Sequence, residues 1–293
     1  MEPATPLRVP AGLTWLSATE AGRAWLALLP ALVEAAAGRW SLQIGEVFDD
    51  SYVSFVVAVR APEGPAVLKL QWPHRESEHE AAALERWDGD GAIRLLAHHP
   101  PEGALLVECC YPGTHLSAID PDQALGVLIE LLPRLWKAVG APFRSLEEEA
   151  LGWSNGLLET WERAGRPFER RLFDAAVETI QSLLAGQHEQ VLLHQDLHGD
   201  NVLAAERQPW LAIDPKPLVG DRAFSPAPII RSHEFGHGRS QVLERLDRLS
   251  AELGLDRQRV AGWAFAQTVA WAFEDDEVLP RHVETARWLL EAL

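Results

Sequence analysis

The sequence predicts an α+β protein with two lobes, because the residue pattern changes once along the chain. Short apolar runs of strand length, separated by turn residues, occupy the chain up to about Cys110. From residue 111 onwards, long runs with helical periodicity dominate. Inside this helical half, a short island of strand-like sequence carries Asp, Asn and His residues. We therefore expect a sheet-rich lobe over residues 1–110, with an N-terminal helical extension, and a mostly helical lobe over residues 111–293.

The first lobe is expected to hold a five-stranded antiparallel sheet with one main helix. A helical pattern at residues 25–37 precedes the sheet, and turn residues separate the first three strand-like runs, which favours a meander. The expected strands cover residues 40–47, 52–60, 66–71, 93–97 and 104–110, and the main helix covers residues 75–87.

The second lobe is expected to be built mainly from helices around a small strand island. The helical stretches cover residues 122–139, 156–163, 169–184, 241–253 and 257–273. The strand-like island covers residues 191–194, 202–204 and 210–214. We find no internal repeat and no low-complexity tract.

Composition restricts the class of partner and the compartment. The chain has 26 Lys and Arg against 43 Asp and Glu, a formal charge of −17, which argues against nucleic acid and anionic membranes as partners. A cationic partner fits better, although an acidic surface that only keeps the protein soluble explains the charge equally simply. Cys109 and Cys110 are neighbours and predict no disulfide framework. Without a recognisable signal peptide or membrane span, we expect a cytoplasmic protein.

The chemistry concentrates at residues 194–201, His-Gln-Asp-Leu-His-Gly-Asp-Asn, and at Ile213-Asp214-Pro215-Lys216. Phosphoryl transfer needs a carboxylate that accepts the proton of the attacking hydroxyl, and hard oxygen ligands that hold Mg²⁺ on the phosphates. Asp196 is the candidate for the first role, and Asn201 and Asp214 are the candidates for the second. Alternatively, these Asp and Asn residues could simply cap turns and helices.

These residues resemble the aminoglycoside phosphotransferase family, whose motif is His-x-Asp-x-x-x-x-Asn followed by an apolar strand that ends in Asp. Residues 210–221, with Asp-Pro-Lys at 214–216, are most similar to its streptomycin 6-phosphotransferase and hydroxyurea phosphotransferase branch. The resemblance implies a protein-kinase-like bilobal fold and transfer of a γ-phosphoryl group to a small-molecule hydroxyl. It implies ATP and Mg²⁺ as cofactors and leaves GTP open as the donor.

The resemblance also implies a lysine on the third strand that contacts the α- and β-phosphates, with a Glu from the next helix beside it. Lys69 is the candidate lysine, unless it is a surface residue of an edge strand. Glu80 lies on the apolar side of the predicted helix and is the preferred partner, with Glu76 one turn earlier as the alternative. Either Glu could also be an ordinary solvated helix charge.

The rest of the nucleotide site is less clearly marked in the sequence. The loop between the first two strands contains Asp49, Asp50 and Ser51 and lacks the Gly-x-Gly-x-x-Gly of protein kinases, so the Ser51 hydroxyl and the main-chain amides are the candidates for phosphate binding. The resemblance implies that the adenine lies against the linker between the lobes, which places Glu108 and Cys110 among the cofactor-binding candidates. A further departure is Ser225, where relatives commonly have Asp, whereas Asp221 is retained.

The phosphate acceptor is the least determined part of the interpretation. A cationic aminoglycoside such as streptomycin is expected, and hydroxyurea is the alternative acceptor. The acidic run Glu274, Asp275, Asp276 and Glu277 is a candidate counter-charge, and Glu147–Glu149 is a weaker one. Both runs could equally be solvated surface charges.

A competing motif is His-Glu-Phe-Gly-His at residues 233–237, which matches the His-Glu-x-x-His of zinc hydrolases. Gly236 and Gly238 weaken the helix that such a site needs. The third ligand at the metzincin spacing would fall on Leu243, which leaves Glu244 or Glu252 as possible ligands. A zinc hydrolase that uses His233, Glu234 and His237 therefore stays a distant alternative.

Overall fold

A computed structural model of the chain describes residues 8–49, 51–186, 189–274 and 277–293. The chain divides into two compact units, of which the first ends at Gly113 and the second begins at Thr114. No helix within these described ranges is long and apolar enough to cross a membrane.

The first unit is a five-stranded antiparallel sheet with helices from the N-terminal segment and from the β3–β4 connection. The strand order is β1-β2-β3-β5-β4, so the first three strands form the predicted meander. Its elements are a 3-10 helix (Ala11–Ala18), α1 (Glu20–Trp40), β1 (Gln43–Phe48), β2 (Ser54–Ala61), β3 (Gly64–Gln71), α2 (Glu80–Trp87), β4 (Leu95–His99), a 3-10 turn (Pro100–Glu102) and β5 (Ala104–Glu108).

The alternation of side chains along β3 separates the core from the polar face of the sheet. Ala66, Leu68 and Leu70 are buried in one apolar cluster with residues of α1, β2 and the N-terminal 3-10 helix. Because successive strand residues point to opposite faces, Lys69 and Gln71 share the other face. The sequence of β3 thus places a lysine and a glutamine side by side on the face opposite this apolar cluster.

Several boundaries in the first unit differ from the prediction, among them those of α1, α2 and β4. Helix α1 extends to Trp40, which had been assigned to a strand, because Ser41 adopts the left-handed conformation that ends the helix (φ 54°). The predicted helix at residues 75–87 begins only at Glu80, since residues 75–79 form turns. The strand predicted at residues 93–97 is Leu95–His99.

The second unit is mostly helical and contains several short sheets. Strands β6, β10 and β7 form a three-stranded sheet, and β8 pairs with β9 as a hairpin. Its helices are α3 (Pro121–Leu135), α4 (Leu146–Arg163), α5 (Arg170–Leu184), α6 (Ala227–Arg231), α7 (Arg239–Glu252), α8 (Arg257–Ala270) and α9 (Pro280–Leu290). Its strands are β6 (Arg144–Ser145), β7 (Gln190–Leu193), β8 (Val202–Ala204), β9 (Trp210–Ala212), β10 (Leu218–Asp221), β11 (Phe273–Glu274) and β12 (Glu277–Val278), with 3-10 turns at Leu116–Ala118, Gly199–Asn201 and Arg222–Phe224.

Helix α8 is the centre of this unit, since every residue from Val260 to Val269 is buried. Asp221, at the end of β10, is buried against it: the indole Nε1 of Trp263 donates to its Oδ2 at 2.9 Å, and Arg259 forms a short ion pair with the same oxygen. Ser225 accepts a hydrogen bond from the indole of Trp136 at 2.9 Å. Asp221 and Ser225 thus both have structural partners.

Two helices of the second unit differ from the prediction for physical reasons visible in the sequence. Helix α4 begins at Leu146 rather than at residue 156, because Ser145 and Glu148 form a capping box. Glu149 is buried and accepts from Arg144 at 2.6 Å, so this acidic run stabilises a helix start. The helix predicted to reach residue 273 ends at Ala270, and Phe273 instead begins the β11–β12 hairpin.

Candidate active site

The first unit contains a buried ion pair between β3 and α2. The Nζ of Lys69 lies 2.9 Å from Oε1 and 2.7 Å from Oε2 of Glu80, and the Gln71 amide donates to Oε2 at 2.6 Å. Lys69 is 8% exposed and Glu80 is 2% exposed. Such a pair is costly to desolvate and adds little net stability, so its presence in a small sheet indicates a task for the ammonium group other than folding. Glu76, the alternative partner, lies in the turns that precede α2.

The β1–β2 connection is anchored by the N-terminal segment. Ser51 is half-buried, and its hydroxyl donates to the carbonyl of Ser54 at 2.6 Å. Asp49 forms an ion pair with Arg8, whereas the predicted Asp50 lies outside the described residues. Gly12 packs so closely on the Ser51 carbonyl that a Cβ there would lie 2.3 Å from the oxygen. The loop proposed for phosphate binding is therefore held in place from outside the sheet.

Glu108 and Cys110 follow one another closely at the end of β5 and beyond it. The main-chain N–H of Arg94 donates to Oε2 of Glu108 at 3.0 Å, so that carboxylate is partly engaged within the first unit. Cys109 and Cys110 form no disulfide and are half-buried. Burial, followed by the charge of Glu108, raises the pKa of the Cys109 thiol and keeps it neutral.

In the second unit, the catalytic candidates lie on the connections between β7, β8 and β9. Asp196 follows β7, Asn201 ends the 3-10 turn before β8, and Asp214 follows β9. Main-chain hydrogen bonds connect these segments: the amide of Ile213 donates to the carbonyl of Asn201 at 2.9 Å. The Nε2 of His194 donates to the carbonyl of Ile213 at 2.9 Å. The three candidates are thus carried by adjacent, mutually bonded segments.

Two residues of this region have backbone conformations that are unusual for non-glycine residues. Gln195 has φ 66° and Asp214 has φ 56°, both in the left-handed region. Such conformations cost of the order of 1 kcal/mol each and concentrate at functional sites. Their occurrence beside Asp196 and at Asp214 itself is consistent with a binding site.

The Asp196 carboxylate lies between two cations. Its Oδ2 is 3.1 Å from the Nζ of Lys216, and its Oδ1 is 3.4 Å from the Nη2 of Arg231. Burial alone would raise the pKa of this carboxyl, but Lys216, His198 and Arg231 outweigh it and lower the pKa to about 2. Asp196 is therefore ionised throughout the physiological range.

One indole supports both cations. The Nζ of Lys216 lies 5.0 Å from the ring centroid of Trp271, and the Cζ of Arg231 lies 4.5 Å from it. Cation–π contacts of this kind hold a charged group in place without neutralising it. Trp271 thus fixes the two side chains that flank the candidate base.

The side-chain nitrogen of Asn201 is engaged within the second unit. Its Nδ2 donates to the carbonyl of Asp196 at 2.8 Å and lies 3.1 Å from Nε2 of His198. Within the part of the chain that the structure describes, no group donates to its Oδ1. Amide and carboxylate oxygens are the ligands that Mg²⁺ takes, so the chemistry of Asn201 and Asp214 fits the metal that the sequence implies.

His198, which contacts Asn201, also forms a close pair with Glu234. The Nδ1 of His198 is 2.6 Å from Oε1 of Glu234, and the main-chain amide of Gly199 donates to Oε2 at 2.7 Å. Burial lowers the pKa of His198, but Glu234 and Asp196 outweigh this and raise it above the usual value. For Glu234, burial acts to raise the pKa, while the bond to His198 and its charge lower it overall.

The geometry does not support the zinc alternative. Residues 232–238 are not helical, so His233 and His237 lack the one-turn spacing on a helix face that zinc ligation in this motif requires. Among the described residues, the one group of three His, Cys, Asp or Glu side chains with clustered ligand atoms is His198, Asp200 and Glu234, which contains neither histidine. His237 pairs with Glu284 at 2.9 Å.

The acidic run near the C-terminus forms a short hairpin. Glu274 and Glu277 are exposed and lie opposite one another across β11 and β12. Asp275 and Asp276 lie outside the described residues. Of the candidate acceptor counter-charge, Glu274 and Glu277 are therefore solvent-accessible, and the role of the run stays a prediction.

Sequence reasoning missed several members of the site. Lys216 was noted only as part of a motif, while Arg231, Trp271 and the pairing of His198 with Glu234 were not foreseen. Lys216 could have been singled out from its position, since it stands two residues after Asp214, the candidate metal ligand. Arg231 and Trp271 could not, because their contacts with Asp196 and Lys216 depend on how helices α6 and α8 pack.

Comparison with known proteins identifies the family. The aminoglycoside/hydroxyurea antibiotic resistance kinase family matches residues 39–278 of the chain. The chain belongs to this family. Streptomycin 6-kinase of Streptomyces griseus is 38% identical over 270 residues, covering 88% of each chain. Hydroxyurea phosphotransferase of Kitasatospora aureofaciens is 40% identical over 281 residues, covering 92% of this chain and 81% of its own.

Solved structures of the antibiotic resistance kinases and of choline kinases share the fold. Choline kinase LicA from Streptococcus pneumoniae superposes with a TM-score of 0.64 at 12% identity, covering 90% of this chain and 99% of its own. A spectinomycin phosphotransferase, solved in complex with ADP and spectinomycin, superposes with a TM-score of 0.54 at 13% identity over 85% and 88%. The predicted α+β, protein-kinase-like fold is confirmed, and the chain is a small-molecule phosphotransferase.

Proposed function

We propose that the protein transfers the γ-phosphoryl group of ATP to a hydroxyl of a cationic aminoglycoside, with streptomycin as the first candidate. The observation that carries the proposal is the Asp196 carboxylate, held ionised beside Asn201. Membership of the kinase family supports the reaction class. GTP stays open as the donor, and the cytoplasm is the compartment that fits a nucleoside triphosphate and cysteines that form no disulfide.

Asp196 is the proposed catalytic base. One carboxylate oxygen would accept the proton of the acceptor hydroxyl as that oxygen attacks phosphorus. Because Lys216 and Arg231 keep Asp196 anionic, the carboxylate orients the hydroxyl first and takes its proton late. The two cations then offset the negative charge around the reacting groups.

Nucleotide binding is assigned to residues of both units. In the first unit, Lys69, oriented by Glu80, would contact the phosphates, with Ser51, Glu108 and Cys110 as further candidates. In the second unit, Asn201 and Asp214 would hold Mg²⁺ through oxygen atoms. When bound, the metal neutralises phosphate charge.

The choice of acceptor depends on charge as well as on relatives. The streptomycin and hydroxyurea enzymes are almost equally similar, at 38% and 40% identity, so similarity does not choose between them. A formal charge of −17 favours a polycation over a neutral molecule. The exposed Glu274 and Glu277, with Asp275 and Asp276 between them in sequence, are proposed to attract the acceptor. Hydroxyurea is the second candidate.

The deciding experiment is phosphoryl transfer with purified protein. Incubation with ATP, Mg²⁺ and streptomycin is expected to add one phosphoryl group to streptomycin by mass, and hydroxyurea serves as the neutral comparison. Modification of hydroxyurea alone would show that the acidic charge does not select the substrate. Modification of neither would refute both proposed acceptors.

Two variants separate the proposed roles of the carboxylates. Asp196→Ala is expected to lower turnover by roughly 10²-fold or more with ADP binding nearly intact, because it removes a proton acceptor but no metal ligand. Asp214→Ala is expected to weaken Mg²⁺-dependent ADP binding itself. Equal ADP affinities in the two variants, measured by calorimetry, would contradict this division.

A further inference from the structure

Glu234, the glutamate of the apparent zinc motif, is connected to Asn201 through His198. We propose that Glu234 and His198 are positioning residues that hold the Asn201 amide with its oxygen towards the magnesium ion. This inference rests on the proposed function, in which Asn201 is a metal ligand. It gives a role to Glu234, which contacts His198 and Gly199 in residues 194–201, the candidate catalytic loop.

The Glu234 carboxylate determines which atoms donate and which accept in the hydrogen bonds from Glu234 through His198 to Asn201. A carboxylate can only accept, so the contact of 2.6 Å between Glu234 Oε1 and His198 Nδ1 places a proton on Nδ1. The inference concerns the neutral form of this ring, in which Nε2 carries a lone pair. Because burial is outweighed by Glu234 and Asp196, which raise the pKa of His198, that form is populated on the alkaline side of the ordinary pKa, and the binding test is made there. The Nε2 lone pair faces the Asn201 Nδ2 at 3.1 Å and accepts one of its two hydrogens.

The second hydrogen of the same Nδ2 goes to the carbonyl of Asp196 at 2.8 Å. Both donors of the Asn201 amide are therefore used, which leaves Oδ1 as the atom available to a cation. An Asn side chain can rotate by half a turn and exchange oxygen for nitrogen at little cost when nothing distinguishes the two ends. With the amide reversed, an NH₂ group would face the metal, and NH₂ is not a ligand for Mg²⁺.

Glu234 is itself held in place by contacts with its surroundings, so it can fix the orientation of His198. Its Oε2 accepts from the amide of Gly199 at 2.7 Å, and this approach requires glycine, since a Cβ at residue 199 would lie 2.7 Å from that oxygen. The buried guanidinium of Arg245 donates to the carbonyls of Ile230, Ser232, Phe235 and Gly236, on both sides of Glu234. The carboxylate therefore has a position set by the fold.

The side chains of His198, Asp200 and Glu234 lie close together, and their hydrogen bonds explain this without a metal ion bound among them. Both nitrogens of His198 are already engaged, with Glu234 and with Asn201. Asp200 accepts a hydrogen bond from the Ser117 hydroxyl through its Oδ1. The cluster is accounted for as a hydrogen-bonded support of the metal ligand.

The test measures ADP affinity by calorimetry over a series of Mg²⁺ concentrations, which requires no acceptor. His198→Ala and Glu234→Ala are each expected to raise the Mg²⁺ concentration for half-maximal enhancement of binding by about 10-fold or more, as for other residues that orient metal ligands. His198→Gln is expected to stay near the wild type, because its amide can donate to Glu234 and accept from Asn201. ADP affinity without metal should not change.

His237→Ala is the matched control, since it removes a His–Glu pair with a contact of 2.9 Å from the same stretch. It should leave the Mg²⁺ dependence unchanged. The double variant of His198 and Glu234 should cost no more than His198→Ala alone, because the two residues act in series. Additive effects, an equal effect of His237→Ala, or a wild-type Mg²⁺ dependence in both alanine variants would overturn the inference.

The wild-type protein distinguishes this inference from the proposed function. If Mg²⁺ does not enhance ADP binding by the wild type, the proposed metal site fails, and the positioning role fails with it. If the wild type depends on Mg²⁺ and the variants behave like it, only the positioning role is wrong. Circular dichroism and melting temperature show that each variant is folded.

Discussion

Arg231, which contacts Asp196, also determines the protonation state of a second residue, His282. Arg231 contacts Asp196 with one nitrogen, and its Nη1 lies 3.2 Å from the Nε2 of His282. A guanidinium can only donate, so Nε2 of His282 must accept and the imidazole must be neutral. Burial, then Arg231, His233 and His237, lower the pKa of His282 to about 4.

A prediction about pH follows from His282. Its folded pKa lies below the ordinary value of 6.5, so the unfolded chain takes up the proton first as the pH falls. This contribution to the free energy of unfolding is complete above pH 6.5 and is lost between pH 6.5 and 4. Its size is about 3 kcal/mol as an upper estimate. We expect urea unfolding to show this loss, and His282→Gln, which can still accept from Arg231, to show a smaller one.

His194 provides the internal comparison for that experiment. Burial lowers its pKa to about 4 as well, against the opposing charge of Asp196, so the variant should retain part of the acid sensitivity. An unchanged pH dependence in His282→Gln would show that His282 is not the neutral acceptor described above.

At the scale of single residues, the sequence predicted those candidate site residues that stand at a recognisable spacing along the chain. Asp196 and Asn201 stand five apart, and Asp214 closes a short strand, so a linear pattern is enough to find them. Arg231 and Glu234 reach the same site from 35 or more positions away. Their contribution arises only when α6 packs beside the catalytic loop, which no local pattern encodes.

At the scale of elements, helix α7 organises the segment that carries Arg231 and Glu234. Arg245 is a buried residue of α7, and its guanidinium makes five contacts with four carbonyls at 2.8–3.2 Å. Carbonyls in a non-helical segment need donors when they are buried. One side chain supplies them here, although burial lowers its pKa to about 10.

Arg245→Lys is therefore expected to be strongly destabilising despite the conserved charge. An ammonium group cannot serve carbonyls spread over residues 230–236, which leaves some of them buried without a donor, at a cost of about 2–4 kcal/mol. Arg248→Lys is the control, because Arg248 lies one turn along the same helix, is only half-buried and pairs with the side chain of Glu252. Urea denaturation of both variants checks the prediction, and equal losses of stability would contradict it.

Helix boundaries show which element-level signals the sequence contained. The start of α4 was predictable, because Ser145 and Glu148 have the spacing of a capping box ahead of an apolar run. The late start of α2 was not, since residues 75–79 include good helix formers that the structure places in turns. That late start leaves Glu80 in the first turn of the helix, where both of its oxygens meet Lys69.

At the scale of the whole molecule, the formal charge of −17 acts on anything charged that approaches. A field of this kind attracts a cation over a distance set by the salt concentration, but it does not orient one. It would repel the proposed donor, an anionic nucleotide, and in the proposed site the local cations Lys69, Lys216 and Arg231 would offset that repulsion. The two substrates should therefore respond oppositely to salt.

The last prediction uses this opposition to test whether the charge serves acceptor capture. If streptomycin is the acceptor, its kcat/KM at saturating ATP should fall several-fold as ionic strength rises from about 0.01 M to 1 M, because the screening length shrinks from about 30 Å to 3 Å. The KM for ATP should not rise over the same range, since screening weakens a repulsion. Any turnover of neutral hydroxyurea supplies the control, because a general effect of salt on the enzyme would slow both acceptors alike. A kcat/KM for streptomycin that is independent of salt would mean that the acidic surface only keeps the protein soluble, and that fixed contacts alone select the acceptor.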